Sequence, residues 1–300
     1  MPANPKVSRA VPARFGSQSK PENVSSPENR WIKRFRAALR GSGPDREGWV
    51  GVEGSRLVED ALRSGLETAA VLVSASGGRH LERLMPWLER STSAQGEPRL
   101  RLLETTDRLF AGVSGTETPQ GIAALVRPRT FVFDDLLRGD VPLVVVLVAV
   151  QDPGNVGTVF RSAEAFGATG AIATRGTAFH WAPKVLRASA GSALRLPIVA
   201  GAALPVALAQ LKIAGLKILA TTAGGEHPSA AHAPDETDLR RPIALLVGNE
   251  GAGLPGEIER AADELVQIPI ASAVDSLNAG VAASVLLYEA ARQRSQRARK

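Results

Sequence analysis

One run does most to limit what this chain can become: Leu143-Val144-Val145-Val146-Leu147-Val148-Ala149-Val150, apolar throughout with no polar alternation. A half-solvated strand alternates, whereas a strand covered on both faces does not. The run also lacks the length to cross a bilayer. Even extended back to Val141 through Pro142 it reaches only about half of the roughly 20 residues a membrane helix needs. It therefore predicts the buried strand of a parallel sheet with helices on both sides. Ala171–Thr174, Leu216–Thr222, Ile243–Val247 and Leu265–Ile268 repeat the pattern. Helical spacing fills the intervals near Asn155–Gly167, Pro183–Ala190, Leu204–Ala214, Pro255–Ala262 and Asn278–Gln293. Ligands of such sheets bind at the strand carboxyl ends, so the loops there are where chemistry is expected.

A second, smaller alternation precedes this one. Ser25-Ser26-Pro27-Glu28 reads as a capping box ahead of a helix carrying Trp31, Ile32, Phe35, Ala38 and Leu39 on one face. Strands are expected at Gly48–Gly54, Ala69–Ser74, Leu100–Leu103 and Gly121–Val126, and helices at Ser55–Ser64, Leu81–Leu88 and Thr106–Gly112. The expected organisation is a disordered basic tail over 1–24, a small α/β domain over 25–127, a linker over 128–140, the parallel-sheet domain over 141–293 and a basic tail over 294–300.

The net charge of +6 lies at the ends. Residues 1–40 hold nine Lys/Arg against two Glu and residues 292–300 five against none, so the 251 residues between them sum to −6. Basic ends suit a nucleic-acid partner, and solvated tails equally. Arg30, Lys33, Arg34, Arg36 and Arg40, on the far side of the first helix, are either a solvated face or a set of phosphate contacts. The chain has no cysteine, which excludes disulfides, thiolate metal sites and a cysteine nucleophile. The four histidines (His80, His180, His227, His232) suggest no ligand cluster, so no metal is expected. Neither a secretory leader nor a membrane span is evident, and a cytoplasmic location is the default expectation.

Three loops carry chemical content. Asp152-Pro153-Gly154-Asn155 turns sharply into a helix, with Asn155 at the expected N-cap and Arg161 among apolar neighbours. Such an arginine is either an ion-pair partner or a clamp for phosphate or substrate. Gly251 to Gly256 matches G-x-G-x-x-G literally. The dinucleotide fingerprint nevertheless fits poorly, because it opens its domain and tolerates neither Pro255 in the turn nor the Glu250 carboxylate beside it. A turn wrapping the adenosine of a small ligand suits these residues better, and a plain strand-to-helix turn is the bland alternative. The third loop runs from Ile268-Pro269-Ile270 to Ser276-Leu277-Asn278, where Ser276 or Asn278 caps a long apolar helix.

Together the loops resemble the SpoU/TrmH family of RNA ribose 2′-O-methyltransferases, within the SPOUT superfamily. The resemblance rests on N-x-G-x-x-x-R (Asn155, Gly157, Arg161), G-x-E-G-x-G (Gly248, Glu250, Gly251, Gly253) and I-P…S-L-N (Ile268, Pro269, Ser276, Leu277, Asn278), in that order. Ser26-Pro27-Glu28-Asn29 with Lys33, Val52-Glu53-Gly54 with Leu57-Val58, and Thr118-Pro119-Gln120-Gly121 resemble the family's N-terminal substrate-binding domain. Ser272 and Ala279-Gly280 depart from the usual glycine and Val-Ser. The resemblance implies a deep trefoil knot at the carboxyl end of the catalytic domain, S-adenosyl-L-methionine as cofactor, RNA as partner and a homodimer with shared active sites. It further implies cofactor contacts from Thr221, Gly248, Gly253, Ile268 and Leu277, and catalytic positions at Asn155, Arg161, Glu250, Ser276 and Asn278.

The implied reaction moves a methyl group to a weak nucleophile, so the site must stabilise the oxygen's developing charge or take its proton. Guanidinium is a poor base, because it stays protonated in proteins. Arg161 is therefore expected to clamp the adjacent phosphate, with Glu250 holding its loop. Ribosomal RNA is expected ahead of transfer RNA. The rival class is a non-enzymatic RNA-binding protein of the same fold.

Overall fold

A computed structural model describes residues 21–41, 43–88, 100–222, 231–271 and 276–297. The chain divides into two compact units, Met1–Arg129 and Thr130–Lys300.

The first unit comprises β1 (Glu22–Asn23), α1 (Arg30–Arg40), β2 (Val50–Glu53), α2 (Ser55–Arg63), β3 (Glu67–Ser74), α3 (Leu81–Leu88), β4 (Arg101–Thr105), α4 (Asp107–Ala111) and β5 (Ile122–Arg127). The strands order as β1-β4-β3-β5-β2. β1 and β3 run parallel to β4, and β5 runs antiparallel to both β3 and β2. The apolar face of α1 buries Trp31, Ile32, Phe35, Ala38 and Leu39, and Phe35 packs with Leu72, Leu103 and Leu125 of the sheet.

Two expectations need correction here. The first helix is capped by Asn29, whose side chain accepts from Trp31 N–H at 2.8 Å, and not by a box at Ser25–Glu28. Pro27 cannot donate a backbone hydrogen bond, and starting at Arg30 still buries the whole apolar stripe. The N-terminal tail is also shorter than 1–24. Residues 1–20 lie outside the described residues, but Glu22 and Asn23 pair with Leu103 and Glu104, and Val24 is buried beside them. Strand pairing gives these residues partners that composition could not reveal.

The second unit comprises β6 (Leu143–Leu147), α5 (Pro153–Ala165), β7 (Gly170–Thr174), α6 (Pro183–Ala188), β8 (Ile198–Ala202), α7 (Leu204–Ile213), β9 (Lys217–Thr221), β10 (Ala231–His232), β11 (Ile243–Val247), α8 (Gly256–Ala261), β12 (Glu264–Val266) and α9 (Ala279–Arg297). Among the described residues its strands lie in the order β10-β12-β9-β11-β6-β7-β8, all parallel. β6 and β11 sit at the centre in register, Leu143 to Leu147 against Ile243 to Val247, and every residue of both is buried. This is the covered sheet that the unbroken apolar run requires.

β6 ends three residues before the run does. Ala149 takes a positive φ of 51°, and its N–H donates to Thr174 Oγ1 at 3.1 Å, turning the chain toward α5. The expected linker is partly structured too. Phe133–Leu137 forms a 3-10 turn whose Leu136 is fully buried in the second unit's core, against Gly170. At the far end Arg294 belongs to α9 and not to a tail. Its guanidinium donates to the carbonyls of Leu239 (2.9 Å), Val141 (2.9 Å) and Arg241 (2.8 Å). Ser272 and residues 298–300 lie outside the described residues. Among the described residues no helix is long and apolar enough to cross a membrane.

Candidate active site

The three loops meet at the carboxyl ends of β6, β11 and β12. Asp152, and not Asn155, is the N-cap of α5, its Oδ1 accepting from Asn155 N–H at 2.9 Å. That hydrogen bond, first among its causes, holds the Asp152 carboxyl below its ordinary range. The shift of one turn matters, because it leaves the Asn155 carboxamide free to act as a bridge. Asn155 is buried, its Nδ2 donates to Glu250 Oε1 at 2.9 Å, and its Oδ1 accepts from Asn278 Nδ2 at 2.8 Å. Glu250 also accepts the backbone N–H groups of Gln151 (3.2 Å) and Asp152 (3.1 Å). Burial works against charge on Glu250, but the bonds from Asn155, Asp152 and Gln151 outweigh it and hold the carboxyl below its usual value. Asn278 caps α9, its Oδ1 accepting from Gly280 and Val281. One chain of hydrogen bonds thus ties together segments up to 123 residues apart.

Beside this chain lies a cavity of about 540 Å³. Thr221, Gly248, Gly253, Ile268 and Leu277 all line it, as do Glu250 and Ser276. The loop after β11 folds back on itself, with Asn249 and Gly253 exchanging two backbone hydrogen bonds at 3.0 and 2.9 Å. A Cβ on Gly248 would stand 2.5 Å from the Gly253 carbonyl carbon, so only glycine permits the fold-back. Asn249 was missed in the sequence reading. Its Nδ2 donates to Ala149 O at 2.8 Å, and its Oδ1 accepts from Gly251 and Ala252. The side chain that shapes the loop therefore grips the strained turn after β6. An asparagine between a glycine and a glutamate carries the Asx-turn signal that could have marked it.

Arg161 stands apart. It lies on α5 but does not line the cavity; it is exposed, with no hydrogen-bond or ion-pair partner among the described residues. The neighbours Val159, Phe160 and Ala163 are buried on the other side of the helix. Gly157 sets the helix against α6, where a Cβ would meet Ala188 Cβ at 2.5 Å and Val185 O at 2.9 Å.

The basic residues singled out in the first unit differ in their commitments. Arg34 is half-buried, paired with Asp45 and Glu47 at 2.7 Å each, and within 6 Å of the Trp31 and Trp49 ring centroids. Arg30 lies 5.4 Å from the Trp31 centroid, and Lys33 pairs with Glu28 at 2.5 Å. Arg36 and Arg40 donate to the carbonyls of Gly112 and Ser114. Arg30, Lys33 and Arg40 are exposed, whereas Arg34 is held by its own unit.

A cavity at the carboxyl ends of a parallel sheet, walled by the loops after β11 and β12 on either side of the end of β9, defines an α/β protein that binds a small ligand there. The chain belongs to the SpoU methylase family of RNA methyltransferases. The SpoU rRNA Methylase family matches residues 142–288, and the MRM3-like substrate binding domain matches residues 29–124. An uncharacterized tRNA/rRNA methyltransferase of Synechocystis sp. is 32% identical over 277 residues, covering 90% of this chain and 94% of its own. An AdoMet-bound rRNA methyltransferase from Sinorhizobium meliloti superposes with a TM-score of 0.76 at 29% identity, over 90% of this chain and 97% of that one. An RNA 2′-O ribose methyltransferase superposes with a TM-score of 0.73 at 31% identity, over 91% of this chain and 99% of that one.

Proposed function

We propose that the protein transfers a methyl group from S-adenosyl-L-methionine to a ribose 2′-hydroxyl of RNA, with ribosomal RNA as the substrate. The observation that carries this reading is the cavity at the ends of β9, β11 and β12, which gathers Thr221, Gly248, Gly253, Ile268 and Leu277 with Glu250 and Ser276. Its chemistry fits the cofactor. Leu254, Ile268, Leu277 and Leu286 offer apolar walls for a purine, and the folded-back loop offers backbone groups to polar edges. The Glu250 charge suits a cationic sulfonium. When bound, S-adenosyl-L-methionine supplies an electrophilic methyl group.

The protein's own residues do the rest. Asn155, Asn278 and Glu250 hold three loops in one geometry, and Ser276 is available to orient the ribose. Arg161 clamps the phosphate next to the reacting hydroxyl and stabilises negative charge on its oxygen, acting as a fixed cation and not as a base. Because Arg161 does not line the cavity of its own chain, the reading includes a homodimer with shared sites. A stripe on α9 supports this: Val281, Val285 and Tyr288 are exposed one helical turn apart, and Tyr288 meets Phe166 edge to face at 5.7 Å. The trefoil knot belongs to the same reading. The strand order, with β12 beyond β9, and the packing of α9 on α5 support it. The first unit selects the RNA and the second carries the chemistry, in the cytoplasm.

The test is methyl transfer from labelled S-adenosyl-L-methionine to ribosomal or transfer RNA from a strain lacking the gene. Label that blocks alkaline cleavage at one ribosomal position supports the reading. Label on a base, or on transfer RNA alone, overturns its finer part. An RNA-binding protein without activity would take up no S-adenosyl-L-methionine in a calorimetric titration.

A further inference from the structure

Aromatic residues make up 4% of the chain, yet Phe179, His180 and Trp181 stand consecutively in the loop between β7 and α6. None of them takes part in the hydrogen-bond chain or the cavity described above. The three rings pack as one cluster: Phe179 to His180 at 5.0 Å and His180 to Trp181 at 4.2 Å, tilted by 55° and 48°, and Trp181 edge-on to Phe179 at 5.9 Å. His180 is the inner member. It is 5% exposed, its Nδ1 has no hydrogen-bond partner among the described residues, and burial pushes its pKa down to about 4. A neutral, desolvated imidazole is a packing surface and leaves Phe179 and Trp181, both half-buried, as the outer rings.

The loop is anchored to the active site. Thr177 Oγ1 donates to Leu147 O at 3.0 Å, and Ala178 N–H donates to Val150 O at 2.9 Å. Val150 is followed directly by Gln151 and Asp152, whose N–H groups hold Glu250. On the other side Lys184 Nζ stands 3.7 Å from Asp152 Oδ2, and that carboxylate caps the helix carrying Asn155 and Arg161. In the same loop and on α6, Arg175, Lys184 and Arg187 are exposed, and Lys184 meets the Asp152 carboxylate. Half-buried aromatic faces bordered by cations are what a single-stranded nucleic acid requires, because bases stack while phosphates meet charge.

We propose that Trp181, braced edge-on by Phe179, forms a stacking platform for a nucleobase of the RNA strand entering the active site, with Lys184 and Arg187 holding its phosphates. The platform rests on the reading of the protein as an RNA methyltransferase and adds to it a place where the substrate is read on the catalytic unit itself. A base splayed out of its helix to present its ribose loses a stacking partner, and the platform supplies one.

The test uses the full chain and a single-stranded oligoribonucleotide of about 8 nucleotides, followed by fluorescence anisotropy. Trp181→Leu keeps apolar bulk against His180 but removes the aromatic face. It is expected to weaken binding about 10-fold, within the usual range for one stacked base, while Trp181→Phe restores most of the affinity. Lys184→Gln with Arg187→Gln, both at exposed positions, is expected to flatten the dependence of log affinity on log salt by one to two phosphate contacts. S-adenosyl-L-methionine uptake, measured on the same preparations, is expected to stay unchanged, since none of these residues lines the cavity. Wild-type affinity in Trp181→Leu overturns the platform and leaves the methyltransferase reading standing. Failure of the wild type itself to bind the oligoribonucleotide, with methyl transfer to ribosomal RNA intact, overturns the platform alone; failure of transfer to any RNA, with cofactor uptake intact, overturns the methyltransferase reading on which the platform rests.

Discussion

Asn155 and Glu250 illustrate how one position can serve geometry and charge together. Glu250 keeps its charge because three donors face it, although burial opposes ionisation. A carboxyl held low in the folded state contributes stability that is present above its unfolded value near 4.5 and is lost as pH falls through the lower folded value. The cofactor site is accordingly expected to loosen only on the acid side of the ordinary carboxylate value, as pH falls toward the lower folded one. Glu250→Gln is expected to abolish that acid-side step in a titration of cofactor affinity and to lower methyl transfer at neutral pH. An unchanged acid limb in the variant would show that Glu250 does not hold the loops. Gly248→Ala is expected to weaken cofactor binding more than 10-fold, since its Cβ meets the backbone of Gly253 and Leu254 within 2.7 Å and backbone cannot yield as a side-chain tip can. Calorimetric titration reads this directly. Glu250 and Gly248 were legible as motif residues, whereas the partner each would find was not. A spacing of 95 residues between Asn155 and Glu250 carries no local signal, and the Asn155 cap was misassigned because Asp152 and Asn155 both suit the role.

The helices and strands of the second unit were readable because their burial is uniform. β6 and β11 are buried at every position, and an unbroken Val/Leu/Ile run has few other interpretations. β8 and β10 escaped for the complementary reason. Ile198-Val199-Ala200-Gly201-Ala202, at the sheet edge, is buried only at Ile198, and Ala231-His232 is too short to show a period. α5 and α6 approach closely only because Gly157 has no side chain, and Gly157→Ala is expected to cost about 1–3 kcal/mol through overpacking, measured by urea unfolding. α9 is held at its far end by Arg294, whose donors satisfy carbonyls before β6 and β11. Burial lowers the Arg294 pKa, so its charge persists there through hydrogen bonds to carbonyls. Arg294→Ala is expected to destabilise the second unit by about 1–2 kcal/mol, a discounted value for a half-buried charged donor. Read as a member of a charge run, this arginine looked like tail, and only the carbonyls facing it reveal otherwise.

Taken whole, the chain distributes its charge differently from its chemistry. The excess of basic residues lies at the two ends, while the cavity and the hydrogen-bond chain occupy the stretch whose sum is negative. The exposed stripe on α9 makes the assembly testable. Val285→Glu is expected to halve the mass measured by light scattering and to abolish methyl transfer. Arg161→Ala is expected to remain a dimer, bind cofactor and fail in transfer; wild-type transfer by Arg161→Ala would remove the clamp. The division into two units was legible from the restart of the α/β alternation, and the mixed strand order of the first was not, because sequence periodicity does not record strand neighbours.

The pairing of β6 with β11 and the bond from Asn278 to Asn155 set an order of events during synthesis. The first unit is complete once Arg127 has emerged. The second cannot close until Ile243 has reached Leu143 and Asn278 has arrived to bond Asn155. At the usual elongation rate of about 5–20 residues per second, the interval is on the order of ten seconds. For that time the nascent protein displays a finished substrate domain joined to an unfinished catalytic one, and a ribosome stalled between those points would carry a chain able to fold at one end and silent at the other.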